Sequence, residues 1–160
     1  MNTLVYIGIG IIALLVVLIL TGRKSVHHEI TINASPEEVW SVLINTGEYD
    51  QWNPVMKLLE GEVKEGHQVK YRFTQDADNT YDIPSKVKNV IPHALLNQGG
   101  GIPLVLTFDH RYILEPSGNG TKLTIHEDYR GMGVNFWNPQ AVEVAYGRLN
   151  VALKVRVESK

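Results

Sequence analysis

Residues 29–54, EITINASPEEVWSVLINTGEYDQWNP, constrain the fold most, because they fix a strand, the helix that follows and its exit. Ile30 and Ile32 alternate with Glu29, Thr31 and Asn33, the period of a half-buried strand. A helix then starts at once. Ser35 is placed to cap it, Pro36 suits its first turn, and Glu38 can complete a capping box. Glu37 and Glu38 also complement the helix dipole. Val39, Trp40 and Leu43 recur at helical spacing and give one apolar face. Asn45, Thr46 and Gly47 break this helix, and a second short one is expected over 48–52. Asn53-Pro54 ends it, since a residue before proline is driven out of the helical region.

Beyond Pro54 the pattern switches to period two, with strands expected over 56–62, 68–74 and 81–91. In the second of these, Val69, Tyr71 and Phe73 share one face and Gln68, Lys70, Arg72 and Thr74 the other. That alternation marks an antiparallel strand with one solvated face. In the third, Tyr81, Ile83 and Val87 point inward, and Pro84 requires an edge, a bulge or a break. Residues 94–97 form a shorter piece, and Gly99-Gly100-Gly101 reads as a flexible connector. A phosphate loop would need a following Lys-Ser/Thr and a helix. Residues 104–114 set Phe108, His110, Tyr112 and Leu114 on one face. After a turn over 116–120, residues 121–130 answer with Leu123, Ile125, Glu127 and Tyr129. A long last helix should take Asn138 as its cap and Pro139 at its first position. Val142, Tyr146, Leu149 and Leu153 give it an apolar stripe, while Arg148, Lys154 and Arg156 would leave a basic outer surface. Several strands with two early short helices and one terminal helix make an α+β domain.

This order of elements, with the Trp-Asn-Pro exit, glycine turns at Gly61 and Gly66, the late hairpin LEPSGNGTKLTI and the ending VALKVRVESK, resembles the START-like (SRPBCC) superfamily. That is the helix-grip fold of Bet v 1 and the polyketide cyclase/dehydrase-like proteins. The resemblance covers residues 25–160. It implies a curved antiparallel sheet, two short helices and a long C-terminal helix closing over an apolar cavity. Its members include both binders and enzymes.

Residues 4–20, LVYIGIGIIALLVVLIL, carry no charge and, with Thr3, Thr21 and Gly22, approach the ~20 residues of a membrane-crossing helix. A cleaved signal peptide would bring a basic leader and a small-residue cleavage site; MNT precedes the run and TGRKS follows it. The chain therefore divides into an uncleaved anchor over 1–24 and a folded domain over 25–160. Arg23-Lys24 follow the run and no basic residue precedes it, so the positive-inside rule places the domain in the cytoplasm. Net charge is −2, from 15 basic and 17 acidic residues without a dense basic run, which argues against a nucleic-acid partner. The absence of cysteine excludes thiolate chemistry and disulfides. The six histidines lack metal-ligand spacing, and no cofactor fingerprint or nucleophile elbow occurs; neither metal nor cofactor is expected.

The inward sheet face is rich in aromatics: Tyr71, Phe73, Tyr81, Phe108, Tyr112 and Tyr129. They either fill a core in which each hydroxyl finds a partner or line a cavity; the resemblance favours the cavity. Met56, Tyr146 and Leu149 would complete its wall, and Trp52 would close its mouth or plug the helix–sheet junction. Glu127 and His110 interrupt the apolar pattern. A buried carboxylate is costly unless paired, so the two should meet, directly or through one water, as the polar floor. A four-residue loop over 116–119 sets Phe108 opposite Glu127; a slide of two residues one way sets His110 there instead, the other way moves it off, and His110 reaches the carboxylate in the first two of these registers. Two functions follow: a membrane-anchored binder of an apolar small molecule or lipid, or a polyketide cyclase/aromatase-like enzyme using Glu127 and His110 as acid and base.

Overall fold

The computed structural model describes residues 2–159. Helix α1 (Asn2–Thr21) leads directly into strand β1 (Arg23–Ile32). Helix α2 (Pro36–Ile44), a 3₁₀ turn (Thr46–Glu48) and helix α3 (Tyr49–Trp52) follow. Six strands come next: β2 (Met56–Gly61), β3 (Gln68–Thr74), β4 (Thr80–Ile91), β5 (Leu95–Ile102), β6 (Leu106–Ser117) and β7 (Gly120–Arg130). A second 3₁₀ turn (Met132–Phe136) and helix α4 (Gln140–Glu158) close the chain.

The strands form one curved antiparallel sheet in the order β1-β7-β6-β5-β4-β3-β2. Its edges, β1 and β2, are consecutive in sequence, and α2 and α3 carry the chain between them. The expected capping box forms: the Ser35 hydroxyl accepts from the Glu38 amide at 3.3 Å, and the Glu38 carboxylate accepts from the Ser35 amide at 2.8 Å. Val39, Trp40, Val42 and Leu43 of α2 are buried. Val142, Tyr146, Leu149 and Leu153 of α4 are buried likewise and pack into the same core as the inner sheet face.

Four expectations change. The triple glycine is not a connector but part of β5, pairing with β6 from Gly99↔Asp109 to Gly101↔Thr107. A Cβ on Gly100 would lie 2.5 Å from the Pro84 carbonyl oxygen and 3.1 Å from the Phe108 ring, so the close approach of β4 requires glycine there. The β6–β7 loop is two residues, Gly118-Asn119, since Pro116↔Thr121 and Ser117↔Gly120 already pair. A glycine-first two-residue turn matches the strand twist, and it sets His110 directly opposite Glu127. The cap of α4 falls at Pro139, with the Asn138 side chain accepting from the Gln140 amide at 3.1 Å. Finally, the cations of α4, Arg148 exposed and Lys154 and Arg156 half-buried, are not free on a solvated face but bond back to the domain. Arg148 donates to the Thr74 carbonyl at 3.1 Å, Lys154 to the Thr31 carbonyl at 2.6 Å and Arg156 to Glu48 at 2.8 Å.

No linker separates α1 from the sheet. Gly22 donates to the Leu18 carbonyl at 3.0 Å and accepts from the Gly131 amide at 2.9 Å, so one residue ends the helix and begins the strand. The Asn135 side chain donates to the Leu18 carbonyl at 2.7 Å and accepts from the Thr21 hydroxyl at 3.2 Å. A Cβ on Gly22 would fall 1.9 Å from the Gly131 oxygen, whereas one on Gly8 meets nothing within 4 Å. Gly22→Ala should therefore destabilise the full chain in detergent by roughly 1–3 kcal/mol, the range of forced backbone shifts and overpacking. Gly8→Ala should leave the melting curve unchanged. Equal melting of the two variants would show that the junction tolerates a side chain.

Candidate functional site

Between the inner face of the sheet and α4 lies a cavity of about 570 Å³. Its walls come from alternate strand positions, as period two dictates. Tyr71 and Phe73 project from β3, Phe108, His110 and Tyr112 from β6, and Glu127 and Tyr129 from β7. Val142 and Tyr146 face them from α4, and Met56 and Tyr49 close one side. The mouth lies where the lining residues are exposed, at the ends of β4 and β5 that flank Pro84. Lacking an N–H, proline cannot extend a ladder toward a neighbour, and β4 and β5 pair only from Lys86↔Gly99 toward Ile91↔Leu95. Beyond that pairing, where the Pro84 carbonyl still abuts Gly100, the lining residues are exposed: Tyr81, Asp82, Pro84, Gly101 and Ile102.

The floor is polar. Glu127 is buried, and its Oε2 accepts from the Tyr129 hydroxyl at 2.7 Å and from the Tyr146 hydroxyl. His110 Nδ1 lies 3.5 Å from the same oxygen. This is an electrostatic contact without hydrogen-bond geometry. Neither ring nitrogen of His110 has a hydrogen-bond partner among the described residues, although both are buried. The imidazole is instead held by rings, edge-to-face with Tyr112 and Tyr146 at centroid separations of 4.6 and 5.1 Å. Glu127 and His110 therefore meet on the cavity floor. Among the described residues no lysine or arginine lines the cavity.

Ten of the twelve residues placed at the site from sequence line the cavity: Met56, Tyr71, Phe73, Tyr81, Phe108, His110, Tyr112, Glu127, Tyr129 and Tyr146. Tyr81 stands at the rim, 47% exposed, and not on the inner wall. Trp52 and Leu149 lie outside. Trp52 packs edge-to-face on Tyr49 at 5.1 Å and plugs the junction between α3 and the core. Tyr49 takes the cavity position, its hydroxyl donating to the Leu43 carbonyl at 2.6 Å. Leu149 is fully buried in the core. Sequence reasoning missed Tyr49, Ser85, Gln98 and Trp137. Ser85 and Gln98 were findable by continuing the alternation of β4 and β5 through Pro84 and the glycines.

Burial pushes the Tyr71 phenol up to about 12, a neighbouring Gln98 partly offsetting it. Burial raises Tyr49, Tyr112, Tyr129 and Tyr146 as well, with the Glu127 charge adding to the last three. These five phenols thus remain hydrogen-bond donors wherever the fold persists. An acid whose folded pKa is raised contributes stability that is complete below the unfolded value of about 10 and is lost as pH rises. In an alkaline titration their phenolate absorbance should appear well above pH ~10 and together with loss of far-ultraviolet circular dichroism. Ionisation of all seven tyrosines near pH ~10 with the fold intact would contradict this burial.

The same architecture recurs among solved structures. A protein of Chromobacterium violaceum aligns over 84% of this chain and 96% of its own, with 17% identity and a TM-score of 0.68. Ara h 8.0201 aligns over 86% of this chain and 99% of its own, with 14% identity and a TM-score of 0.64. The KanY protein aligns over 85% and 98%, with 17% identity and a TM-score of 0.66. At such identities the likeness is one of fold. Curated proteins give no significant match. Residues 23–158, from the first residue of β1 to the last of α4, match the family described as polyketide cyclase / dehydrase and lipid transport, and the chain belongs to that SRPBCC family.

Proposed function

We propose that the domain binds a neutral, apolar small molecule or lipid in the cavity, and that α1 tethers it to a membrane. The cavity carries this reading: about 570 Å³ lies within the ~300–1,000 Å³ of small-molecule sites, and its walls are aromatic. Among the described residues no lysine or arginine lines the cavity, and Glu127 sits on the floor, so a buried carboxylate or phosphate would find no permanent cation and only the His110 imidazole to pair with. Hydroxyl or carbonyl groups fit instead, matched by tyrosine hydroxyls, Ser85 and Gln98. The tether is supported by Thr3–Thr21, long and apolar enough to cross a bilayer and not covered by the rest of the protein. Arg23-Lys24 after it favour a cytoplasmic domain. Protease added outside intact cells should then leave the domain uncut; digestion there would reverse the orientation.

Ligand chemistry is testable on the full chain in detergent with a neutral fluorescent probe such as Nile red. Dodecanol should displace it at least tenfold better than dodecanoate, a difference of about 1.4 kcal/mol. Leu106→Trp, which adds bulk at a half-buried lining position, should weaken probe binding at least tenfold. Preference for the carboxylate, or unchanged binding to the variant, would remove the proposed site.

An acid–base reading rests on Glu127 beside His110. Two hydroxyls already donate to the carboxylate oxygen nearest the imidazole, which supports a structural and ligand-orienting floor over a catalytic pair. On this reading Glu127→Gln keeps one acceptor and should cost about 1–3 kcal/mol of stability. Detection of turnover that Glu127→Gln abolishes in a folded variant would instead establish the enzyme.

A further inference from the structure

The register of the sheet aligns Arg23, Arg130, Thr107 and Gly101 in one row across β1, β7, β6 and β5. One step beyond that row, at a single end of the sheet, come Gly22, Gly131, Leu106 and Ile102. Helix α1 leaves the domain at this end, fixed there by the bonds from Thr21 and Asn135. Here too lies the β5–β6 tip, bound to the second 3₁₀ turn by Met132 N–H to the Leu104 carbonyl and Gly133 N–H to the Val105 carbonyl, both 2.9 Å. Tip, turn and helix base are thus one connected block.

The surface of this block is apolar where solvent would not favour it. Phe136 is 79% exposed, Ile102 65% and Leu104 64%, with Val105 beside them. Leu104 is held at φ 67°, a left-handed conformation uncommon outside glycine and costly for a bulky residue, and it keeps this apolar side chain outward. Beside this patch Arg23 and Arg130 stand directly opposed, both exposed and with no salt bridge among the described residues. A like-charge cross-strand pair is unfavourable by itself and is relieved by an anion. Exposed apolar side chains flanked by unpaired arginines at the base of an uncovered apolar helix match a bilayer interface, acyl region first and phosphates above it.

We infer that the β5–β6 tip and Phe136 insert into the membrane surface beside α1, so that the cavity mouth, whose rim includes Ile102, opens at the bilayer. Ligand then passes between acyl chains and cavity without crossing bulk water. The inference rests on the reading of α1 as a membrane anchor, and the test separates the two.

The chain has no cysteine, so single-cysteine variants of the full protein can be spin-labelled in vesicles containing anionic phospholipid. Leu104→Cys and Phe136→Cys report the patch, and Leu15→Cys reports α1. Asn119→Cys reports the opposite end of β6, roughly 35–40 Å away at ~3.3 Å per residue. The ratio of collision rates with oxygen to those with a water-soluble nickel chelate rises with depth in the bilayer. It should be at least tenfold higher at 104 and 136 than at 119. Values at 104 and 136 equal to that at 119, with 15 in lipid, would overturn the inference and leave the anchor standing. An aqueous value at 15 would overturn both. As a second readout, Leu104→Asp with Phe136→Asp should slow uptake of Nile red from vesicles at least tenfold while leaving its affinity in detergent unchanged; equal uptake would count against a mouth at the bilayer.

Discussion

The constraint on which the site depends is the pinning of α4 to strands on both sides of the sheet. On the β1 side Lys154 donates to the Thr31 carbonyl at 2.6 Å, and Asn150 donates to the His28 carbonyl at 3.2 Å. On the β3 side Arg148 donates to the carbonyls of Thr74 and Gln75. A curved sheet has a concave face, and a straight helix tied near both sides spans it as a chord. The space beneath cannot close without breaking these bonds. Large rings partly fill that space: Phe73 and Tyr146 meet edge-to-face at 6.0 Å. What remains is the cavity.

The polar floor follows from register. Because side chains alternate, a one-residue slip between β6 and β7 would turn every inward residue outward. The two-residue turn fixes the pairing that places His110 against Glu127. Tyr129 stands two residues along the same strand, and Tyr146 descends from α4, so three elements converge on one carboxylate. Burial makes that arrangement self-consistent: it keeps the phenols protonated, and protonated phenols are the donors that a buried carboxylate needs.

Much of this was legible in the sequence because alternation and capping are local. The Ser35–Glu38 box, the face shared by Val69, Tyr71 and Phe73, and the inward set of β6 and β7 follow from spacing alone. What failed depended on partners distant in sequence. The triple glycine reads as a connector until Pro84 and Phe108 press on it from neighbouring strands. Trp52 and Tyr49 lie three residues apart on a single helical turn, and pattern does not say which faces the cavity. The Asn53 side chain, accepting from the Val55 and Met56 amides at 3.0 and 2.9 Å, fixes how the chain leaves that turn. The cations of α4 look solvated until the carbonyls of β1 and β3 are brought beneath them.

On the proposed function, this pinned helix keeps open a cavity for one neutral apolar molecule. Native mass spectrometry of the full chain, extracted in mild detergent, addresses it directly. The wild-type protein should carry a discrete added mass from a single uncharged organic compound, absent from Leu106→Trp. A bare wild-type mass, or the same added mass on both proteins, would contradict it.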